Sequence, residues 1–140
     1  MFYLDASLVV AALASEQSTH RVQNWLTERS PGQNFLSPWV ITEVSSALSI
    51  KLRMGQIDIT EKTTALASFG RLVPEVFGLV DVHTEHFRSA ARFADRHTLS
   101  LRAGDALHLA IAADHGLILC TLDRRLAEAG PPLGIPTVLV

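Results

Sequence analysis

Four acidic residues, widely separated in the chain, occupy positions from which a folded domain could bring them together. Asp5 follows the apolar opening of the chain and Asp123 follows the apolar residues 117–122, so each is predicted to end a buried strand. Glu43 and Asp105 lie within apolar segments of helical period. Unpaired carboxylates near a core are costly and repel one another, and a divalent cation would compensate them. The pattern therefore predicts a metal-dependent hydrolase.

Each of these acids also has an ordinary structural explanation. Asp5 and Asp123 precede predicted helices, where aspartate is a common N-cap. Glu43 could lie at the edge of the core and pair with an arginine, and Asp105 would be favoured near a helix N-terminus by the helix dipole. His108, three residues after Asp105, could share its helix face as a metal ligand, although a hydrogen bond at the helix surface is the commoner use. The residues alone leave these alternatives open.

Two hydroxyl residues, Ser7 and Thr121, lie two positions from Asp5 and Asp123. Such hydroxyls could orient a carboxylate or hold a water beside a metal ion. Oxygen ligands are those that Mg²⁺ prefers, and it usually takes only one or two carboxylates directly. An ion held there would activate water and neutralise charge on a phosphodiester. No Walker-type phosphate loop, dinucleotide-binding glycine motif or zinc-type cysteine spacing offers a competing chemistry.

The composition indicates an ordered globular domain, and residues 1–140 are expected to form one domain. A net charge of −2 argues against a protein that simply coats nucleic-acid phosphates. The one cysteine, Cys120, cannot form an intramolecular disulfide, which suits a reducing compartment. Neither a leader sequence nor an apolar run of membrane-spanning length is recognised. The protein is therefore expected to be cytoplasmic, without a membrane partner.

Short apolar runs alternate with longer segments of helical period, which predicts an α/β fold with a central parallel sheet. Strands are predicted at residues 2–4, 34–36, 76–82, 117–122 and 136–140. Helices are predicted at residues 5–15, 19–29, 37–54, 58–72, 83–97, 102–115 and 123–129. Thr19 is predicted to cap the second helix, and Ser30-Pro31-Gly32 is predicted to close it.

Four segments, read together, point to a known family. Residues 2–7 read Phe-Tyr-Leu-Asp-Ala-Ser, and Glu43-Val44 lies mid-chain. Residues 101–110 read Leu-Arg-Ala-Gly-Asp-Ala-Leu-His-Leu-Ala, and residues 119–124 read Leu-Cys-Thr-Leu-Asp-Arg. In this order the segments resemble the PIN domain and, more narrowly, the VapC-type toxins of prokaryotic toxin–antitoxin pairs. The resemblance spans essentially the whole chain.

The resemblance implies a PIN-like three-layer α/β/α fold and a Mg²⁺- or Mn²⁺-dependent endoribonuclease. The acidic site that it implies consists of Asp5, Glu43, Asp105 and Asp123, with Ser7 and Thr121 in support. It further implies a homodimer, a cognate antitoxin whose tail lies over the active-site groove, and a structured RNA substrate such as tRNA or ribosomal RNA.

Two other functions fit parts of the pattern. Another metal-dependent phosphoester hydrolase, such as a phosphatase or phosphoacceptor domain, would want an acid two residues after Asp5 or a lysine beside the site. Ser7 occupies the first place, and the only lysines, Lys51 and Lys62, are mid-chain. A non-catalytic PIN-like binding module would not need four mutually repelling acids. Both alternatives are therefore less well supported than a nuclease.

Several basic residues could contact RNA or an antitoxin. Arg88, Arg92 and Arg96 recur every four residues and form one helix stripe, for which a solvated face is the usual meaning. Arg124 and Arg125 follow Asp123 and are expected near the rim of the site. The roles of this stripe, of His108 and of Asp114 are not determined by the sequence.

Overall fold

The computed structural model describes residues 1–15, 17–30 and 32–140. Its strands are β1 (Phe2–Leu4), β2 (Asn34–Leu36), β3 (Gly78–Leu79), β4 (Ile118–Thr121) and β5 (Thr137–Leu139). Its α-helices are α1 (Ala6–Leu13), α2 (Thr19–Thr27), α3 (Pro38–Arg53), α4 (Ile59–Val76), α5 (Thr84–Ala94), α6 (Ala103–Asp114) and α7 (Arg124–Ala129). Short 3₁₀ turns cover His97–Leu99 and Pro131–Leu133. Within the described ranges, no helix is both long and apolar enough to cross a bilayer.

The five strands form one sheet in the order β3-β2-β1-β4-β5, and every neighbouring pair is parallel. From β1 to β3 the chain moves toward one edge, and it then crosses back to β4 and β5. Right-handed crossovers therefore place α1 to α4 on one face of the sheet and α5 to α7 on the other. The predicted α/β class with a central parallel sheet and helices on both faces is confirmed.

The centre of the sheet is the most deeply buried part of the fold. Tyr3 and Leu4 in β1 and Leu119 and Cys120 in β4 have no exposed surface, as expected for strands covered on both faces. Strand order reverses between β1 and β4, and ligand sites in such sheets form beyond the carboxyl ends of the strands at this reversal. The residues that follow these two strands are therefore placed where a site is expected.

The predicted strand at residues 76–82 was wrong in its extent. α4 continues past Pro74 to its end at Val76, with Val73 still buried against the core, and only two residues remain for β3. Gly78 is required there because a Cβ atom would lie 2.4 Å from Cε1 of Phe35 on the neighbouring strand. Because α4 extends to Val76, the strand begins only at Gly78 and is shorter than predicted.

The predicted cap of α2 was also wrong. Ser18 precedes the helix, and Thr19 is its first residue. The Thr19 hydroxyl instead donates to the carbonyl oxygens of Ala11, at 2.8 Å, and Ala14, at 2.7 Å, at the end of α1. It thus closes the preceding helix, since the last carbonyls of a helix have no partner within it. Pro31, in the predicted terminator of α2, lies outside the described residues.

The remaining helices begin and end close to the predicted positions. Ser37 caps α3 and Pro38 occupies its first turn, as predicted. α5 ends at Ala94, before the predicted residue 97, and a 3₁₀ turn follows that closes with Ser100 in the left-handed region, at φ 51°. This turn redirects the chain toward α6, whose first turn carries Asp105.

Candidate active site

Asp5 lies at the carboxyl end of β1 and is both a helix cap and the centre of a hydrogen-bond network. One carboxylate oxygen, Oδ1, accepts from the Ser7 hydroxyl at 2.6 Å and from the Leu8 amide at 3.3 Å. The other, Oδ2, accepts from the Thr121 hydroxyl at 2.6 Å. The carboxylate is buried, and burial raises its pKa, while the nearby His108 and then these hydrogen bonds oppose part of the rise. Asp5 thus caps α1 through Oδ1 while Oδ2 is bound to the end of β4.

The two hydroxyl residues hold the ends of β1 and β4 together. Ser7 Oγ accepts from the Leu122 amide at 3.0 Å, and Thr121 Oγ1 accepts from the Asp123 amide at 2.9 Å. Because each hydroxyl oxygen already accepts from a backbone amide, its own proton is directed to Asp5. The carboxylate is therefore fixed in position by three donors, none of which carries a positive charge.

Asp123 follows β4 and caps α7 through one oxygen. Its Oδ1 accepts from the Arg125 amide at 2.8 Å and from the Leu126 amide at 3.3 Å. The residue also lines a surface groove of about 760 Å³. The other polar residues of this groove are Ser7, Glu43, Ser46 and Arg124. Asp123 and Glu43 thus face the same space, and Arg124 lies at this groove as expected.

Glu43 is held by His108, and two sequence-based interpretations were wrong here. Among the described residues Glu43 forms no salt bridge with an arginine, and its Oε2 lies 2.6 Å from Nε2 of His108. His108 is only 3% exposed and points inward, so it does not form its hydrogen bond at the helix surface. The pairing joins α3 to α6 across 65 positions in the chain. Sequence spacing gave no signal for so distant a contact.

Two further polar residues, Tyr3 and Ser37, were not predicted to belong to this region. The Tyr3 hydroxyl is 3.0 Å from Nδ1 of His108 and 2.7 Å from Oγ of Ser37. Burial raises the pKa of Tyr3, and the neighbouring charges of Glu43 and Asp5 raise it further, so the phenol keeps its proton. The sequence signal that could have indicated this role is the hydroxyl-bearing Tyr3, which lies two residues before Asp5 in an otherwise apolar segment.

Asp105 lies in the first turn of α6 and is half-buried. Its Oδ2 accepts from the Arg102 amide at 3.3 Å, which is the helix-terminal role considered from the sequence. Burial raises the pKa of Asp105; the Arg102 hydrogen bond opposes this, and the negative charge of Asp123 adds to it. Asp105 is therefore close enough to Asp123 for the two carboxylates to repel each other.

Gly104 allows Glu43 to approach α6. A Cβ atom at this position would lie 3.0 Å from Oε1 of Glu43 and 3.6 Å from the indole of Trp39. The group that occupies the space beside this glycine is the Glu43 carboxylate. The carboxylates of Glu43 and Asp105 consequently lie beside the same turn of α6.

Asp5 and Asp123 follow the neighbouring strands β1 and β4, Glu43 and Asp105 lie beside one turn of α6, and His108 is the basic side chain that contacts this group, at Glu43. These four acids form the acidic edge. Among the described residues, no lysine or arginine forms a salt bridge with any of them. An all-oxygen set of carboxylates and hydroxyls is the donor chemistry of Mg²⁺ and Mn²⁺. No three of these carboxylates have ligand oxygens all within 4.8 Å of one another. That spacing is compatible with Mg²⁺, which keeps several waters and contacts few carboxylates directly.

A second group of ionisable side chains lies at the other end of α6. Ligand atoms of His86, Asp114 and His115 fall within 4.8 Å of one another, the one such group among the described residues. The buried His86 accepts the His83 amide at Nδ1, at 2.9 Å, so its neutral ring carries the proton on Nε2, 3.0 Å from Asp114. A metal would need the lone pair that this proton occupies. These hydrogen bonds close the group against a metal.

Arg88 and Arg92 are exposed on α5, but the predicted single helix stripe was wrong at Arg96, because α5 ends at Ala94 and Arg96 precedes the 3₁₀ turn. All three arginines make local contacts. Arg88 lies 3.7 Å from Glu85, and Arg92 donates to the Ser89 hydroxyl at 2.9 Å. Arg96 donates to the carbonyl oxygen of Pro132 at 3.1 Å. No contact joins the stripe to the acidic edge among the interactions of the described residues. Its part in RNA or antitoxin binding stays a prediction.

Comparison with known proteins agrees with this arrangement. Residues 2–130 match the family profile of the PIN domain. The chain belongs to the PIN domain family. The resemblance read from the four sequence segments is thereby confirmed, and with it the three-layer α/β/α fold. No curated protein sequence matches the chain.

Solved structures share this PIN fold over nearly their whole length. FitAB bound to a DNA fragment is 17% identical, with a TM-score of 0.77 over 99% of this chain and 94% of that chain. Mycobacterium tuberculosis VapC20, described as a sarcin-ricin loop cleaving toxin, is 16% identical, with a TM-score of 0.76 over 100% and 98%. VapBC2 from Rickettsia felis, bound to promoter DNA, is 15% identical, with a TM-score of 0.66 over 99% and 98%. At these identities the likeness shows the fold.

Proposed function

We propose that this PIN domain is a Mg²⁺- or Mn²⁺-dependent endoribonuclease and the toxin of a type II toxin–antitoxin pair. The observation that carries the proposal is that Glu43 and Asp123 line one groove, Asp5 is hydrogen-bonded to Ser7 of that groove, and Asp105 follows the glycine against which Glu43 packs. Among the described residues, no lysine or arginine forms a salt bridge with any of these four acids. Carboxylates in this state favour a divalent cation, because burial and mutual repulsion otherwise oppose their ionisation. The family and the site chemistry support the same reaction class.

Asp5, Glu43, Asp105 and Asp123 would hold the ion. When bound, it would supply water activation and neutralisation of the charge that builds on a phosphodiester. The protein contributes the orientation of the ligands: Ser7 and Thr121 fix Asp5, and the α7 amides fix Asp123. Arg124, at the same groove, is placed to attract the RNA phosphates toward these acids.

The proposed partners follow from the described neighbours. VapC20 is named as a toxin that cleaves the sarcin-ricin loop, and a Klebsiella pneumoniae neighbour is a toxin–antitoxin complex. By analogy we expect a structured RNA substrate, a cognate antitoxin that covers the groove, and a homodimer acting in the cytoplasm. The fold alone does not require these partners, so each is part of the proposal.

The proposal is tested by incubating purified protein, freed of any partner, with tRNA and ribosomal RNA. We expect cleavage with Mg²⁺ or Mn²⁺ and none after addition of EDTA. Asp105→Asn should abolish cleavage, whereas Asp114→Asn, a matched change at the far end of the same helix, should not. Cleavage that persists in EDTA, or in Asp105→Asn, would contradict the assignment.

Two additional measurements separate the alternatives. Turnover of a phosphomonoester, without RNA cleavage, would favour another phosphoester hydrolase. Tight RNA binding without cleavage under any metal condition would favour a binding module. Sequencing of RNA ends after brief induction in cells would identify the substrate of an active nuclease.

A further inference from the structure

We propose that His108 is a positioning residue for Glu43. His108 is itself held by a chain of hydrogen bonds that begins at Ser37, the cap of α3, and ends at Glu43 within α3. This inference rests on the proposed function, in which Glu43 contributes to the metal site. The links are short: Ser37 Oγ to Tyr3 OH at 2.7 Å, Tyr3 OH to His108 Nδ1 at 3.0 Å, and His108 Nε2 to Glu43 Oε2 at 2.6 Å. Ser37, Tyr3 and His108 are all buried.

The donors and acceptors assign one direction to the chain. An ionised Glu43 can only accept, so Nε2 of His108 carries the proton in that link. The neutral imidazole then has a bare Nδ1, which accepts from the Tyr3 hydroxyl. Because the one proton of the Tyr3 hydroxyl then goes to Nδ1, the Ser37 hydroxyl must donate to the Tyr3 oxygen, and Ser37 Oγ in turn accepts from the Val40 amide at 3.5 Å.

The consequence is a glutamate with Oε2 tethered, while Oε1 accepts no hydrogen bond from the described part of the chain. Oε2 is held by His108, and Oε1 lies beside Gly104, where a Cβ would be 3.0 Å away. A tether of this kind removes side-chain freedom before the ion binds, and outer partners of metal ligands commonly change metal affinity 10- to 100-fold when removed. The anchor of the tether is rigid, because Tyr3 belongs to the most buried strand and Ser37 caps α3 itself.

A role limited to core packing predicts a different pattern. An apolar side chain of similar size would satisfy packing alone, whereas positioning requires an N–H group that reaches Glu43. His108→Gln retains such a group near the place of Nε2, and His108→Met does not. The two variants lose the same ring, and they therefore separate the two roles.

The first measurement uses ¹⁵N NMR of histidine-labelled full-length protein without metal. We expect His108 to carry its proton on Nε2 with Nδ1 unprotonated. A proton on Nδ1 would overturn the direction of the chain. This result is independent of activity.

The second measurement is Mn²⁺ binding by calorimetry, with melting temperatures recorded for each variant. We expect His108→Met to weaken binding about 10- to 100-fold and His108→Gln to recover most of that loss. Equal losses in the two variants would overturn the inference. A wild-type protein that binds no Mn²⁺ would instead overturn the proposed function, and the inference with it.

Tyr3→Phe keeps the inference testable if changes at His108 prevent folding. This variant removes only the hydroxyl that donates to Nδ1 and leaves His108 and Glu43 in place. We expect a changed Nδ1 chemical shift and a few-fold loss of Mn²⁺ affinity. An unchanged Nδ1 shift would show that Tyr3 does not hold the ring.

Discussion

The two ends of α6 carry groups of ionisable side chains that differ in how their charges are compensated. Asp105 at the first turn belongs to the acidic edge, and Asp114 at the last turn belongs with His86 and His115. Nine residues of helix, about 14 Å, separate the two aspartates. The histidine end has its ligand atoms closer together, whereas the acidic end is the metal site that we propose.

The difference lies in the hydrogen bonds. At the histidine end, both nitrogens of His86 are used, one by a backbone amide and one by Asp114. At the acidic end, hydroxyls and amides orient Asp5 and Asp123 but cannot neutralise them. The proposed metal site therefore rests on carboxylates held in place by neutral donors, and not on the proximity of possible ligand atoms alone.

The largest expected effect is on metal uptake. Asp5→Asn should weaken Mn²⁺ binding at least about 100-fold, because loss of a direct ligand should cost no less than loss of an outer partner. His115→Asn, at the other end of α6, should leave binding unchanged. Calorimetry at neutral pH measures both. A comparable loss in His115→Asn would place the ion at the wrong end of the helix and reverse the comparison.

Substitutions at the histidine end of α6 should change the stability of the fold and not the binding of metal. His86→Ala removes a buried side chain and leaves the His83 amide without its acceptor, which should lower the free energy of unfolding by about 2 kcal/mol. Mn²⁺ binding and RNA cleavage should persist below the melting temperature. Urea denaturation provides the measurement, and Asp114→Asn, which keeps an acceptor for His86, is the milder control. Loss of metal binding in folded His86→Ala would contradict a purely structural role.

The fold was largely predictable because its signals are local. Acids directly after apolar runs located Asp5 and Asp123, and parallel strands bring such positions to one edge. The extent of β3 was not predictable, because the burial of Val73 extends α4 through Pro74. Helix propensity and turn signals do not report that tertiary contact.

The candidate site was predictable in its acids but not in their partners. Glu43 and His108 are 65 positions apart, and each had a plausible local explanation. The contact exists because Tyr3, Ser37 and Gly104 shape the space between α3 and α6. Such complementarity is a property of the folded surfaces, and one sequence does not reveal it.

The pH dependence of stability should distinguish the acidic edge in metal-free protein. Burial raises the pKa of Asp5 in the folded state above its ordinary value of 3.8. The folded chain therefore holds this proton more tightly than the unfolded chain. The stabilisation is complete below about pH 4 and is lost as pH rises through the raised pKa, by at most about 1.4 kcal/mol per pH unit.

The measurement is the free energy of unfolding against pH in EDTA, for wild type and Asp5→Asn. As pH rises, the free energy of unfolding of the wild type should fall relative to that of Asp5→Asn, and added Mn²⁺ should reduce that fall. If the free energies of unfolding of wild type and Asp5→Asn differ by a constant amount from pH 4 to 8, the folded protein does not raise the pKa of Asp5.

The smallest expected effect compares two helical glycines. Gly70 in α4 has nothing within 4 Å of the Cβ position, so Gly70→Ala should gain up to about 1 kcal/mol from helix propensity. Gly104→Ala should gain less, because its Cβ would press on Oε1 of Glu43 while Oε2 stays tethered to His108. We expect a few-fold loss of Mn²⁺ affinity in Gly104→Ala alone. If both variants gain equally and bind Mn²⁺ as wild type does, the position of Glu43 tolerates displacement and the tether matters less than the charges.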